Sequence, residues 1–205
     1  MKKDQDFITK TTLLTGCMFS GKTRRLVDEL EKRVLAKQNV LYVHPKKDTR
    51  ENKSHQSYVS KHLDELINNN LVKIIEVNSS SEIVLHLVNS MEANYSAIFI
   101  DEYFMINFSE IQTFLNTVNS MNIPDVYFAG LISDANCKLF AEAENVLPYI
   151  DDIIKTNAVC MGCGAPANYS HFIGNHFKKN DINVDNGSSY RCLCWKCYSK
   201  ATGKN

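Results

Sequence analysis

Eight residues, Gly16-Cys17-Met18-Phe19-Ser20-Gly21-Lys22-Thr23, fit the pattern G-x-x-x-x-G-K-[ST]. They follow an apolar run, Thr11-Thr12-Leu13-Leu14, and precede Leu26, Val27, Leu30 and Val34 at helical spacing. A strand therefore has to end in a tight turn, and a helix has to start from that turn with its N–H groups aimed at an anion. The glycines leave room for backbone amides to approach a phosphate. Lys22 adds a point charge for the outer phosphates, Thr23 offers a hydroxyl to Mg2+, and the helix dipole favours the same anion. Gly16, Cys17, Met18, Phe19, Ser20, Gly21, Lys22 and Thr23 are thus the expected triphosphate and Mg2+ cradle.

The rest of the pattern builds on this unit. Residues 7–15 read as a strand, a helix runs to about Lys37, and Val40-Leu41-Tyr42-Val43 forms a second strand. Strand–helix–strand implies a parallel sheet and an α/β fold, a phosphate-loop NTPase-type sheet flanked by helices. Leu63, Leu66 and Ile67 suggest a short helix, and Leu71 to Val77 a strand. Ser79-x-x-Glu82 and Ser109-x-x-Gln112 predict capped helix starts, the first before Ile83, Val84, Leu87, Val88 and Met91. Asp125 to Gly130 reads as a strand, 131–141 as a loop that could fold over a ligand, 142–150 as a short helical turn region, and Ile153 to Val159 as one last long strand.

Ala97-Ile98-Phe99-Ile100-Asp101-Glu102 reads as a buried strand delivering two carboxylates at its tip. Beside a phosphate loop, such an acid holds Mg2+ directly or through water. Asp101 is assigned to the metal's water shell and Glu102 to proton abstraction. The charged stretch from His44 to Ser57 leaves the carboxyl end of the second strand, the edge where α/β sheets bind ligands. By composition it is a solvated loop, yet Lys47 or Arg50 there would suit a polyphosphate.

With 205 residues, the chain suits one main domain and a small appendage. Zero net charge argues against broad attraction to nucleic acid or a membrane surface, and no run of about 18 apolar residues is present to span a bilayer. The polar N-terminus lacks the apolar core of a signal peptide, which favours the cytosol. Seven cysteines are present, five of them between residues 160 and 197. Cys160-Met-Gly-Cys163 and Cys194-Trp-Lys-Cys197 form two knuckles, the spacing of a closed, structural Zn2+ site on a zinc ribbon. A redox dithiol or reduced free cysteines are the alternatives. Cys192 offers a competing ligand through Cys192-x-Cys194, and the matching C-x-x-C spacings favour Cys194 with Cys197. His171 and His176 read as surface residues. The composition changes near Cys160, which divides the chain into 1–159, a nucleotide-binding α/β domain, and 160–205, a zinc-ribbon domain.

Together these motifs resemble the type II (cellular-type) thymidine kinases from about residue 10 to residue 200. Gly16 to Thr23, Lys47-Asp48-Thr49-Arg50, Asp101-Glu102, Thr156 to Cys163, and Tyr190 before Cys194-x-x-Cys197 carry the likeness. The resemblance implies transfer of phosphate from ATP with Mg2+ to the 5′-hydroxyl of a deoxynucleoside, thymidine favoured. It implies Asp48, Thr49 and Arg50 beside the triphosphate, Glu102 as general base, and Lys22 and Arg50 stabilising the transferring group. Nucleoside contacts would fall on Met18, Leu131, Ala135, Phe140 and Tyr190. The stretch Asp181-Ile182-Asn183-Val184-Asp185 would run along the base as part of a lasso. Homotetramers and inhibition by thymidine triphosphate are further implications.

This chain departs from the family pattern near the nucleoside. Asp-Glu-x-Gln-Phe becomes Asp101-Glu102-Tyr103-Phe104-Met105, and Leu-Asp-x-x-Phe becomes Leu131-Ile132-Ser133-Asp134-Ala135. The stretch before the tyrosine is Val184-Asp185-Asn186-Gly187. A divergent kinase is the favoured reading, and a catalytically weak nucleotide-binding or regulatory paralogue on the same scaffold is the alternative. A nucleic-acid-binding zinc-ribbon NTPase is disfavoured by the zero net charge.

Overall fold

The computed structural model describes residues 8–48, 58–68, 70–174 and 189–203. Six strands form one sheet: β1 (Lys10–Thr15), β2 (Val40–Pro45), β3 (Val72–Val77), β4 (Ala97–Ile100), β5 (Asp125–Gly130) and β6 (Asp152–Lys155). Their order is β3-β2-β4-β5-β1-β6, and every pairing is parallel. All six carboxyl ends therefore lie along one edge. The register sets Thr15 opposite both Gly130 and Lys155, and Ile100 opposite Val43 and Phe128.

Strand alternation decides which helices cover which face. Leu13, Leu41, Val43, Ile98, Ile100, Val126 and Phe128 share a core with α3 (Ser80–Asn89), α4 (Ile111–Ser120) and α5 (Ala141–Val146). Their neighbours Leu14, Val40, Tyr42, Ala97, Phe99 and Ala129 face the other way. That side is covered by Leu26, Leu30 and Val34 of α1 (Lys22–Leu35) and by Leu66 of α2 (Tyr58–Ile67). Both faces of the four inner strands, β1, β2, β4 and β5, are dry, as a parallel sheet requires. Each fully buried Leu or Phe contributes about 1.5–3 kcal/mol, so the sheet is a rigid platform for its edge.

Three local expectations are corrected. Ser79 is the N-cap of α3 but makes no side-chain cap bond. Glu82 instead accepts the Asn78 N–H at 3.1 Å and pairs with Lys46 at 2.6 Å, so half of the box is spent on a neighbouring loop. Helix α4 starts after Glu110 rather than Ser109, because the Ser109 N–H is held by Asn107 Oδ1 at 2.8 Å; Gln112 reaches out to the Tyr149 hydroxyl. The single long strand over 153–159 is two. Thr156 turns the chain out of the sheet, its N–H and Oγ1 both bonded to Thr15 O at 2.7 and 3.1 Å. The next strand, β7 (Ala158–Val159), pairs antiparallel with β8 (Pro166–Ala167) in a separate sheet.

A second small ribbon joins β9 (Tyr169–Phe172) to β10 (Tyr190–Leu193), and α6 (Trp195–Thr202) comes after it. Cys17, Ala158, Cys160, Ala167, Cys192, Leu193 and Tyr198 bury one another in a third cluster. The phosphate loop thus shares a core with the cysteine-bearing segment. No described helix is long and apolar enough to cross a membrane.

Candidate active site and metal centre

The glycine-rich loop leaves β1 at Thr15 and enters α1 at Lys22. A Cβ on Gly16, at φ +154°, would lie 2.3 Å from Thr156 O and 2.6 Å from Ser20 Oγ, so no side chain fits there. Gly21 caps α1 from the left-handed region at φ 85°. Ser20 N–H donates to Cys17 O at 3.3 Å, and Lys22 Nζ donates to the same carbonyl at 2.9 Å, which folds the lysine over its own loop. The loop is also tied from outside. Thr156 Oγ1 and Ser20 Oγ are hydrogen-bonded at 2.8 Å, Met18 N–H donates to Ser170 Oγ at 3.0 Å, and Cys17 Sγ donates to Ala167 O at 3.3 Å.

Asp101 continues the pairing of β4 by one residue, its N–H bonded to Val43 O at 3.0 Å. The carboxylate is 5% exposed. It accepts from the Tyr42 hydroxyl at 3.0 Å, from Glu102 N–H at 3.0 Å and from Thr23 Oγ1 at 3.4 Å. Burial first, and then the charge of Glu102, raise Asp101 to about 6, while His44 and the Tyr42 hydrogen bond act the other way. The phosphate-loop hydroxyl and the strand-end acid thus meet in space. A hydroxyl and a carboxylate oxygen are hard donors and fit Mg2+. Glu102 is half-buried at φ 47°, ψ 43°, a left-handed conformation that a non-glycine residue adopts at a cost of about 1–3 kcal/mol. That bend turns Glu102 off the strand line that Asp101 still follows.

A cavity of about 130 Å³ opens between Thr15-Gly16-Cys17, the segment from Leu131 to Cys137, and Asn168-Tyr169-Ser170, with Lys155 at its wall. Leu131 lines it. Ala135, buried, lies in the same segment, and its carbonyl accepts from the Tyr198 hydroxyl. Phe140 stacks on Phe104, centroids 4.8 Å apart at 23°. Phe104 and Met105 are both buried, and a Cβ on Gly130 would come within 3.0 Å of Tyr103 and Phe104. The position where the resemblance expects a glutamine is therefore filled by a ring in the core. Tyr190 packs edge-on against Phe172 at 5.2 Å. Asp48 sits 3.7 Å from His44 Nε2. Thr49, Arg50, His176 and Asp181 to Asp185 lie outside the described residues.

Sequence reading missed Tyr42, Asn168 and Ser170, and gave Thr156 no role beyond opening the stretch that ends at Cys163. Tyr42 reads as one more apolar strand residue, and only the partner 59 positions away gives its hydroxyl a role. Asn168 Oδ1 is buried, lines the cavity, and has no hydrogen-bond partner among the described residues. Nothing in its local sequence marks it.

Cys160, Cys163, Cys194 and Cys197 bring four Sγ atoms within 4.8 Å of one another, with Cys163 and Cys194 at 3.6 Å. Zn–S bonds of about 2.3 Å in a tetrahedron need sulfurs about 3.8 Å apart, so these residues fit structural Zn2+. Backbone N–H groups of Cys194, Gly162 and Cys163 lower the Cys160 thiol to about 6, which favours the thiolate that a metal needs. Cys192 lies outside the set. It is buried in the apolar cluster with Cys17, and burial raises its thiol. The choice of Cys194 and Cys197 over Cys192 agrees with this placement.

The family model described as thymidine kinase matches residues 9–198 of this chain. Thymidine kinase of Mesoplasma florum is 30% identical over 196 residues, covering 93% of this chain and 92% of that protein. Thymidine kinase of Mycoplasma genitalium is 28% identical over 210 residues, covering 100% and 91%. Thymidine kinase of Amsacta moorei entomopoxvirus is 27% identical over 189 residues, covering 92% and 97%. With its phosphate loop, strand-end acids and four-cysteine centre matched over nearly its whole length, the chain belongs to the thymidine kinase family.

Proposed function

We propose that this chain transfers the γ-phosphoryl group of ATP to the 5′-hydroxyl of a deoxynucleoside, thymidine foremost, giving thymidine monophosphate and ADP. The observation that carries the reading is the meeting of Thr23 Oγ1 with Asp101 at 3.4 Å, with Glu102 next in the chain. Positioning and electrostatics supply most of the catalysis in phosphoryl transfer. Lys22 leaves Cys17 O to meet the outer phosphates, and the α1 N-terminus faces the same anion. Thr23 and Asp101 would hold Mg2+, which neutralises charge on the phosphates. Glu102 takes the proton of the attacking hydroxyl, and Arg50, with Asp48 and Thr49 beside it, steadies the transferring group. The base occupies the cavity by Leu131 and Ala135, with Met18, Phe140, Tyr190 and residues 181–185 completing its surround. Residues 1–159 form the nucleotide-binding part and residues 160–205 the zinc-ribbon part, and the chain works in the cytoplasm.

Thymidine triphosphate carries both the base and a triphosphate, so it is the natural feedback inhibitor of such a site. A homotetramer is the proposed assembly. The outer strand β6 leaves Ile153 58% and Ile154 37% exposed, an apolar edge that a second copy would bury. Light scattering should return the mass of four chains; a monomer at micromolar concentration would refute this.

The direct test of function supplies γ-labelled ATP with thymidine, deoxyuridine, deoxycytidine or deoxyguanosine. Label should pass to thymidine most efficiently. The packing of Phe104 on Phe140, where the family carries glutamine, favours one competing outcome: a base other than thymine preferred. ATP binding with no nucleoside phosphorylated would instead mark a regulatory nucleotide-binding protein.

A further inference from the structure

The cysteine segment touches the active-site edge through more than its metal ligands. Tyr198 comes directly after Cys197, and its N–H is bonded to Cys194 O at 2.9 Å, so its backbone is set by the second knuckle. Its side chain is fully buried. The ring lies near-parallel to Tyr169, centroids 5.1 Å apart at 26°, and Trp195 and His171 enclose it at 6.0 and 6.1 Å. A phenol held this way has little rotational freedom, and its hydroxyl has to find a partner in the protein. It donates to Ala135 O at 2.8 Å, across 63 positions of chain.

Ala135 lies within the segment that walls the cavity. That segment is internally tied. Asp134 Oδ1 accepts the N–H groups of Asn136 and Lys138 at 2.8 and 2.9 Å, Cys137 N–H reaches Asp134 O at 3.1 Å, and Phe140 N–H reaches Ile132 O at 3.1 Å. A short loop tied on itself moves as a unit, so a grip at Ala135 sets the position of Leu131, Ile132 and Ser133 as well. On the opposite wall the same cysteine segment holds the phosphate loop, through Ser170 to Met18 and Ala167 to Cys17.

From this arrangement we infer that Tyr198 is a positioning residue, through which the second cysteine knuckle fixes the 131–138 loop over the nucleoside cavity. The inference rests on the proposed function for its kinetic consequence and on geometry alone for its structural one.

The test is Tyr198→Phe, which removes one oxygen and keeps the ring. Metal content should stay at one zinc per chain. Hydrogen exchange at the amides of Asn136, Cys137 and Lys138 should speed up about three- to tenfold, the factor one neutral hydrogen bond supplies. KM for thymidine should rise by a similar factor while KM for ATP stays put, because the phosphate-loop contacts are untouched. Unchanged exchange in 131–140 would overturn the inference. Loss of zinc in the variant would also overturn it, by showing that the hydroxyl serves the knuckle rather than the loop. If the unmodified protein phosphorylates no nucleoside, the functional reading falls, and exchange still decides the role of Tyr198.

Discussion

Glu102→Gln lowers kcat by about 10²–10⁴-fold, the usual worth of a positioned general base, and leaves ATP affinity within about twofold. The substitution keeps size and hydrogen-bonding capacity, so the φ 47° backbone at residue 102 is not asked to accept a new shape. It removes the proposed proton acceptor and one negative charge. Steady-state turnover with thymidine, together with fluorescent-nucleotide titration, separates these effects. Turnover within about tenfold of the unmodified enzyme would assign the base elsewhere.

The lost charge has a second consequence that is read without turnover. Asp101 is raised to about 6 from 3.8, by burial and then by Glu102. A folded-state pKa above the unfolded value means that folding takes up a proton between those limits. In the absence of Mg2+, the contribution of Asp101 to stability therefore declines as pH rises from about 4 through 6. With Glu102 neutral, one cause of the raised value is gone and the decline should shrink. Chemical denaturation without Mg2+ at pH 4.5 and pH 7 reads the difference, and an equal decline in both proteins would show that Glu102 does not press on Asp101.

The features legible in the sequence divide from the rest along physical lines. Gly16 and Gly21 are legible because their backbone demands exclude other residues: one would drive a Cβ into Thr156, and the other starts a helix from the left-handed region. Asp101 is legible because four apolar residues before it require a buried strand, and a strand end points at the sheet's ligand edge. The cysteines are legible because two short turns with matching spacing suit one tetrahedral ion. The contacts that finish the site are not local. Thr156 reaches Ser20 across 136 positions, Met18 reaches Ser170 across 152, and Tyr42 reaches Asp101 across 59. No window of sequence contains both partners. The split of the last strand has the same cause. It breaks at its polar middle, Lys155-Thr156-Asn157, where Thr156 is claimed by Thr15 and Ser20, which belong to the first strand and its loop. The strand order of the sheet is likewise settled by packing between distant segments.

Cys160→Ser removes the most buried ligand of the proposed metal centre, and its effect should reach both the fold and the phosphate loop. Cys160 is 3% exposed and receives the Gly162 N–H at 3.4 Å, and the three other sulfurs close around it. Serine lacks the thiolate, so bound zinc should fall from one per chain to near zero. Structural zinc contributes its binding energy directly to folding, and a domain of this size shifts by about 2–4 °C per kcal/mol. The melting temperature should therefore drop by at least about 10 °C. Ala167 and Ser170, which hold Cys17 and Met18, lie between the knuckles. The surviving folded fraction should consequently bind ATP more weakly, although no ATP contact has been altered. Cys137→Ser is the control: that thiol is exposed and outside the four-sulfur set, so zinc content should be unchanged. Metal analysis and thermal melts on the two variants decide the matter. A Cys160→Ser protein that keeps a full equivalent of zinc and the parent melting temperature would mean that the four sulfurs do not form the metal site.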